Sequence, residues 1–173
     1  YGLALAYKKN NNFNEGLASL DKLLEKYPKN LVLNTTKVEF LSYFNKFNDA
    51  LDLANKFLEI SPKNYPLSIS KSQILLNMGQ YFESEEIIRD QLLRKNDSPE
   101  LWFMLSETQK TSQNIVGYHQ SRAEYFLLLG QDEKALNQLE FALQLTQNNF
   151  QVSDRIMTKI IEIKKSLQNS RGL

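Results

Sequence analysis

The chain has no cysteine among its 173 residues and only one histidine, His119. The lack of cysteine excludes disulfide bonds and thiolate metal ligands, but it does not identify the compartment, since cytosolic and periplasmic proteins can both lack cysteine. Metal sites usually need several clustered His, Cys or carboxylate ligands. We therefore predict no metal, no cofactor and no catalytic residue, and we interpret His119 as a hydrogen-bonded side chain on a helix surface or between helices.

The chain also lacks an excess of one charge and any long apolar run. Its 21 basic and 20 acidic residues give a net charge of +1, which argues against a partner that needs a basic field, such as nucleic acid. The longest apolar run, Tyr125 to Leu129, is far shorter than the roughly 20 residues of a membrane-spanning helix. No signal peptide is recognisable, and because the chain opens on Tyr1-Gly2 without a methionine, we expect a fragment of a longer protein.

Proline and glycine are scarce and lie at boundaries. Pro28 and Pro62 follow helical patterns, whereas Pro66 and Pro99 fit the first turn of a helix. Apolar residues recur at helical spacing and no convincing alternation of period two is present, so the sequence predicts an all-α fold. The predicted helices cover about 1–10, 13–26, 30–44, 47–60, 64–78, 81–95, 98–112, 114–129, 132–146 and 149–168.

The stretch from Asn45 to Pro62 nearly copies an earlier one from Asn11 to Pro28, and a third copy begins at Gly79. The copies recur with a period of about 34 residues, which is typical of the helix–turn–helix unit of tetratricopeptide repeats. Each copy leaves an apolar face that only its neighbour can cover. We therefore predict one tetratricopeptide domain over 1–173, built as a superhelix of about ten antiparallel helices.

The regular period fails after the third repeat. The next copy of the second-helix pattern begins at Asp132, which lies one and a half periods after Tyr81. An odd helix near 114–129 is therefore predicted to serve as the second helix of one pair and the first of the next. The last helix should be a cap with a polar outer face, because terminal units of such arrays are solvated. The predicted repeats cover about 1–30, 31–64, 65–98, 99–129 and 116–148, with the cap at 149–168.

Tetratricopeptide arrays usually bind on a concave face lined by the first helix of each pair. A mixture of apolar and polar groups there suits an extended peptide or a helix laid in a groove. Two other interpretations are equally open: the face is plain solvated surface, or it packs on another domain of the same protein. The predicted partner-facing residues are Leu5, Lys8, Thr35, Glu39, Tyr43, Ile69, Gln73, Leu76, Phe103 and Glu107.

The C-terminal third resembles one particular family. This third of the chain contains the pattern His-Gln-x-Arg-Ala-Glu-Tyr, followed by a short apolar run and Gly. The pattern Ala-x-x-Gln-Leu-x-x-Ala-Leu and an Arg-Ile pair come later. This is similar to the tetratricopeptide domain of the BepA-like periplasmic zinc metalloproteases and chaperones of Gram-negative bacteria. The residues that match the pattern and are expected to be structural are His119, Arg122, Glu124, Tyr125 and Arg155. We expect Arg122 and Arg155 to be at least half-buried and to join the last helices, through Glu124 or Asp154.

The resemblance implies a parent protein with an upstream zinc peptidase domain, located in the periplasm. The His-Glu-x-x-His motif of that domain is absent here, so this chain is not expected to be an enzyme. The implied function is a non-catalytic interaction domain that recruits or positions outer-membrane assembly proteins, or misassembled clients, for quality control. The parent's own protease domain is a further implied partner, and nucleic acid is not expected. The alternative is a generic tetratricopeptide scaffold in another bacterial envelope-assembly complex.

Overall fold

The computed structural model describes residues 2–146 and 148–171, and the regular structure in these residues is entirely α-helical, with no strand. This confirms the all-α fold and the ten predicted helices. The helices are α1 (Gly2–Lys9), α2 (Phe13–Lys26), α3 (Leu31–Tyr43), α4 (Phe47–Ile60), α5 (Tyr65–Asn77), α6 (Tyr81–Leu92), α7 (Pro99–Thr111), α8 (Ile115–Leu128), α9 (Asp132–Leu145) and α10 (Phe150–Arg171).

Side-chain caps explain why several helix starts lie within one residue of their predicted positions. The side chains of Asn30 and Asn64 each accept a hydrogen bond of 3.0 Å from the backbone N–H three residues later. Ser98 does the same for Leu101 at 3.4 Å, and Pro99 follows it in the first turn. These bonds satisfy backbone donors that a helix leaves unpaired at its N-terminus.

Two helix ends differ from the prediction by more than one residue. Helix α6 ends at Leu92 rather than near 95, because the next residues tighten into a turn in which the N–H groups of Arg94 and Lys95 both donate to Gln91 O. Helix α10 continues to Arg171, three residues beyond the predicted end. The local sequence has no glycine or proline between 149 and 171 to stop it.

Contacts divide the chain into two compact units, Tyr1–Ile87 and Ile88–Leu173. The single domain predicted over 1–173 therefore stays a prediction. In unit 1 the same repeat position of each helix is buried between the paired helices. It holds a small residue in five of the six helices and Val38 in the sixth. The buried residues at this position are Ala4, Gly16, Val38, Ala50, Ser72 and Ser84.

The third pair in unit 1 closes with a buried pair of hydroxyl groups. Ser84 Oγ donates to the backbone carbonyl of Ser72 at 2.9 Å, and the two Oγ atoms are themselves 2.9 Å apart. Both side chains are almost fully buried. Because each hydroxyl has a partner, polar residues occupy this position without leaving an unsatisfied group in the core.

Unit 2 contains the predicted odd helix. Helix α8 packs against both α7 and α9, which confirms that it serves two neighbours. The apolar side of α10 then closes the unit: Ile156, Ile160 and Ile163 are buried against Ala123 of α8 and Leu139 of α9. The outer side of α10 is less polar than expected, since it exposes three apolar residues that are described below.

A residue with left-handed backbone angles recurs in the turn after the first helix of each pair. Asn11, Asn45, Gly79 and Gln113 have φ values of 59°, 58°, 77° and 62°, and Gly130 follows with 66°. Asn11, Asn45, Gly79 and Gln113 are each separated from the next by one repeat period. Gly130 follows Gln113 after only half a period, because the odd helix α8 lies between them. Asn and Gly adopt this conformation readily, whereas Gln at position 113 is strained.

Replacing Gln113 with glycine is expected to raise the free energy of unfolding by about 0.5–1 kcal/mol. The left-handed conformation penalises a side chain with a Cβ by roughly 1–2 kcal/mol, and the extra backbone entropy of glycine offsets part of that relief. Chemical denaturation measures the change. The adjacent control, Ser112→Gly, has an ordinary φ of −78° and should instead lower stability. Equal effects of the two substitutions would contradict the strain at position 113.

Gly16→Ala is expected to lower the free energy of unfolding by about 1–3 kcal/mol, the usual cost of overpacking a core. A Cβ on Gly16 would overlap the ring of Phe40 and lie 3.2 Å from the Cβ of Tyr7. The matched control is Gly2→Ala in α1, where a Cβ meets no atom of the described residues within 4 Å. Thermal unfolding of both variants tests the prediction, which fails if the Gly16 variant is as stable as the Gly2 variant.

Candidate functional site

The first helices of the three pairs in unit 1 lie side by side and form an exposed face. The Lys8 Nζ of α1 lies 4.8 Å from the centre of the Tyr43 ring of α3, a cation–π contact. Ser70 of α5 donates to Glu39 of α3 at 3.5 Å. These two contacts tie α1 to α3 and α3 to α5. We call the accessible predicted residues of these three helices the first-helix face: Leu5, Lys8, Glu39, Tyr43 and Gln73.

The predicted partner-facing residues of unit 1 differ in how much of each is accessible. Tyr43 is 53% exposed and Leu5 41%, and Glu39 and Gln73 are only partly covered. Lys8, Ile69 and Leu76 are half-buried. Thr35 is only 8% exposed, and its hydroxyl donates to the backbone carbonyl of Leu31 at 2.8 Å. Its hydroxyl is used inside its own helix, so Thr35 offers a partner little surface.

In unit 2 the two remaining predicted residues lie on α7, and Phe103 borders a cleft between α7 and α8. The cleft has a volume of about 400 Å³, and its lining is mostly apolar. Phe103 and Tyr125 form its aromatic part, with ring centres 5.5 Å apart. We call this the α7–α8 cleft, and its lining residues are Pro99, Glu100, Phe103, Met104, Tyr125 and Leu129.

Arg122 holds the aromatic wall of this cleft in place. Its guanidinium carbon lies 4.7 Å from the centre of the Phe103 ring, 5.1 Å from Tyr125 and 5.4 Å from Phe126. Its Nη1 atom lies 3.9 Å from the Oε1 of Glu107, too far for a hydrogen bond, and has no hydrogen-bond partner among the described residues. A planar guanidinium stacks on aromatic rings as an ammonium cannot, which makes arginine suited to this position.

A carboxylate marks the rim of the cleft. The Ser98 hydroxyl donates to Glu100 Oε2 at 2.8 Å, and this hydrogen bond is the main reason that the pKa of Glu100 is lowered, followed by a backbone bond and the nearby charge of Lys95. Glu100 is exposed on α7, one turn before Phe103. The cleft therefore combines an apolar floor with a rim group that stays ionised at neutral pH.

The residues of the family motif are placed differently from one another. His119 Nδ1 lies 2.8 Å from Gln138 Oε1 on α9, which agrees with the prediction of an inter-helix histidine. The predicted arginine partners are wrong. Arg122 is half-buried but faces Glu107, while Glu124 binds Lys159 at 3.0 Å. Arg155 is exposed, since it lies on the side of α10 away from the buried isoleucines.

No group of three or more His, Asp or Glu residues that could hold a metal ion occurs within residues 2–146 and 148–171. Across the same residues no helix is both long enough and apolar enough to cross a membrane.

Comparison with known proteins identifies the fold. No protein-family profile matches the chain, and no curated protein sequence matches it. Among solved structures, MamA of Desulfovibrio magneticus RS-1 is 12% identical with a TM-score of 0.65, covering 95% of this chain and 93% of its own. A tetratricopeptide repeat protein of Parabacteroides merdae is 15% identical with a TM-score of 0.56, covering 91% of this chain and 68% of its own.

A thermophilic tetratricopeptide protein of Thermus thermophilus is similar as well. It is 13% identical with a TM-score of 0.53, and the match covers 92% of this chain and 96% of that protein. At such low identity these likenesses concern the fold alone. The chain has a tetratricopeptide-repeat fold.

Replacing Arg122 with alanine is expected to lower the free energy of unfolding by about 1–3 kcal/mol, because three ring contacts and the attraction to Glu107 are lost together. Arg122→Lys should recover only part of this, since an ammonium cannot stack on the rings as a plane. The control is Arg155→Ala, which we expect to change stability by less than about 0.5 kcal/mol, as is usual at exposed positions. Denaturant titration of the three variants checks this, and equal losses at Arg122 and Arg155 would contradict it.

Proposed function

We propose that the chain is a non-catalytic protein-interaction domain and that the α7–α8 cleft receives an apolar side chain of a partner protein. The observation that carries this proposal is the cleft itself: an apolar hollow of about 400 Å³ with an exposed phenylalanine in its wall. Phe103 is 39% exposed although it is a large aromatic residue. Interfaces are commonly anchored by aromatic or apolar side chains that enter such pockets.

The preorganised wall supports this role. Phe103 and Tyr125 both pack on the guanidinium of Arg122, and these contacts favour one orientation of each ring. A fixed wall reduces the conformational entropy that binding would otherwise cost. The charged rim at Glu100 can orient a polar or basic group next to the anchor, while the apolar lining of the cleft selects for an apolar one.

The first-helix face of unit 1 is a separate docking candidate. Tyr43 supplies an exposed ring that also contacts Lys8, and Glu39 and Gln73 supply polar groups on the neighbouring helices. This mixture suits hydrogen bonds and side-chain contacts along an extended peptide or a helix. The proposal for the cleft does not depend on this face.

At a finer level we propose that the parent protein is a BepA-like periplasmic metalloprotease and chaperone. In this role the domain recruits outer-membrane assembly proteins or misassembled clients for quality control. The support is the motif from His119 to Tyr125 and the later Arg155-Ile156 pair. The alternative is a scaffold in another bacterial envelope-assembly complex. The parent gene separates the two, since only the first requires a signal peptide and an upstream His-Glu-x-x-His.

A photo-crosslinking amino acid in place of Met104 is expected to form a discrete adduct with a partner protein in the native cells. Leu129→Glu should reduce the yield of that adduct by roughly tenfold or more, because a charge in the apolar cleft should weaken binding of the apolar anchor by about 1.4 kcal/mol or more. Leu129 lines the cleft and is 43% exposed.

The matched control for this experiment is Leu128→Glu. Leu128 is 40% exposed and adjacent in sequence, but it does not line the cleft, so its variant should keep the adduct. Equal loss in both variants, or no adduct at position 104, would show that the cleft is not the docking point. Mass spectrometry of the adduct then tests the finer proposal, which requires an outer-membrane assembly protein or one of its clients.

A further inference from the structure

Helix α10 has two apolar stripes, and only one of them is covered by the described residues. Ile156, Ile160 and Ile163 are buried against α8 and α9. Phe150, Met157 and Ile161 are 83%, 44% and 59% exposed. At 3.6 residues per turn the two sets lie about a third of the helix circumference apart. The second stripe is thus a surface in its own right rather than the edge of the core.

The exposed stripe has a regular order along the helix. Phe150, Asp154, Met157, Ile161 and Lys164 follow one another at spacings of four, three, four and three residues. That is the spacing of the seam positions of a coiled coil, which keeps all five residues on one face. The acidic residue lies near the start of the helix and the basic one lies ten residues later, so the two ends of the stripe differ in charge.

This order is self-complementary when two copies of the stripe run antiparallel. If the two-fold axis passes at residue 159, Met157 of one copy meets Ile161 of the other, and Asp154 meets Lys164. The second copy repeats the same contacts in reverse, as a two-fold interface requires. A parallel pairing would instead place Asp154 against Asp154 and Lys164 against Lys164, which is electrostatically unfavourable.

We propose that the exposed stripe of α10 is the interface for a second copy of this chain, joined antiparallel about residue 159. The partner is identified by the complementarity of charge and apolar positions within the stripe. The proposal uses no residue of the α7–α8 cleft and does not rest on the proposed function.

The charges of the stripe remain available for this contact. Lys164 Nζ lies 3.3 Å from Glu140 Oε1, but both side chains are about half exposed, and such surface pairs are weak. Lys165 is the next residue and is also exposed, so it adds positive charge at the same end. Lys159, another basic residue of the helix, binds Glu124 and faces α8.

A single helix from each copy buries less surface than the roughly 1,200 Å² of a stable interface, so we expect a weak and reversible dimer. Sedimentation of the 173-residue chain over a series of concentrations should show a monomer–dimer equilibrium. Asp154→Lys should weaken association at least tenfold at low salt. Adding Lys164→Glu and Lys165→Glu to that variant should restore association, because the reversed charges complement each other again.

The control variant is Glu162→Lys, which makes the same change in charge at an exposed position of α10 outside the stripe and should leave association unchanged. A chain that is monomeric at every concentration would overturn the proposal. The stripe would then be a surface for another segment or another protein. A dimer that Asp154→Lys and Ile161→Glu both leave intact would place the interface elsewhere and would also overturn it.

The direction of pairing has its own readout, since the native chain has no cysteine. Asp154→Cys and Lys164→Cys, mixed as two single variants and oxidised, should form mainly the mixed disulfide. In the antiparallel arrangement equal positions lie about 15 Å apart along the helix axis, at about 1.5 Å per residue, too far for a disulfide of either variant with itself. Self-disulfides in preference to the mixed one would overturn the antiparallel pairing.

Discussion

Close approach of paired helices is the constraint on which the rest of this molecule depends. In unit 1 each pair meets through a small residue on its second helix, and at Gly16 even one added carbon would overlap Phe40. In the third pair this close-contact position holds serine on both helices, and the hydroxyls of Ser72 and Ser84 bind each other and the backbone. Because the helices lie this close, the aromatic and aliphatic side chains around these contact positions pack tightly. The exposed side chains therefore project from a well-packed backbone.

Much of the fold could be predicted from the sequence because its signals are local. Asn30, Asn64 and Ser98 cap the helices that they precede, and the regular repeat period places each turn. The repeat period also predicted that α8 belongs to two helix pairs, because the next copy of the second-helix pattern begins one and a half periods after Tyr81. The end of α6 was predicted too late because its last turn depends on the bonds that Gln91 O accepts, which no composition signal in that stretch reveals.

The candidate site was less predictable, since it depends on distances between helices. The family motif singled out Arg122, but neither its partner Glu107 nor its three rings follow from spacing along the chain. Met104 and Leu129 were not predicted to face a cleft, although each is apolar and one lies next to Phe103. Thr35 was placed on the partner face by its position in the repeat, yet the hydroxyl turned toward its own helix.

The left-handed residues in the turns have a consequence for how such a chain can lengthen. A left-handed residue follows α1, α3, α5, α7 and α8. Successive left-handed residues are one full repeat period apart, except that the last follows after half a period. The left-handed residue after α8 marks that helix as the first of a new pair, although α8 is also the second helix of the pair that begins with α7. One helix with its turn can therefore shift the repeat by half a period. An array made this way can gain or lose a single helix and still bury its apolar sides. The two-helix repeat visible in the sequence is thus not the smallest step by which this architecture grows.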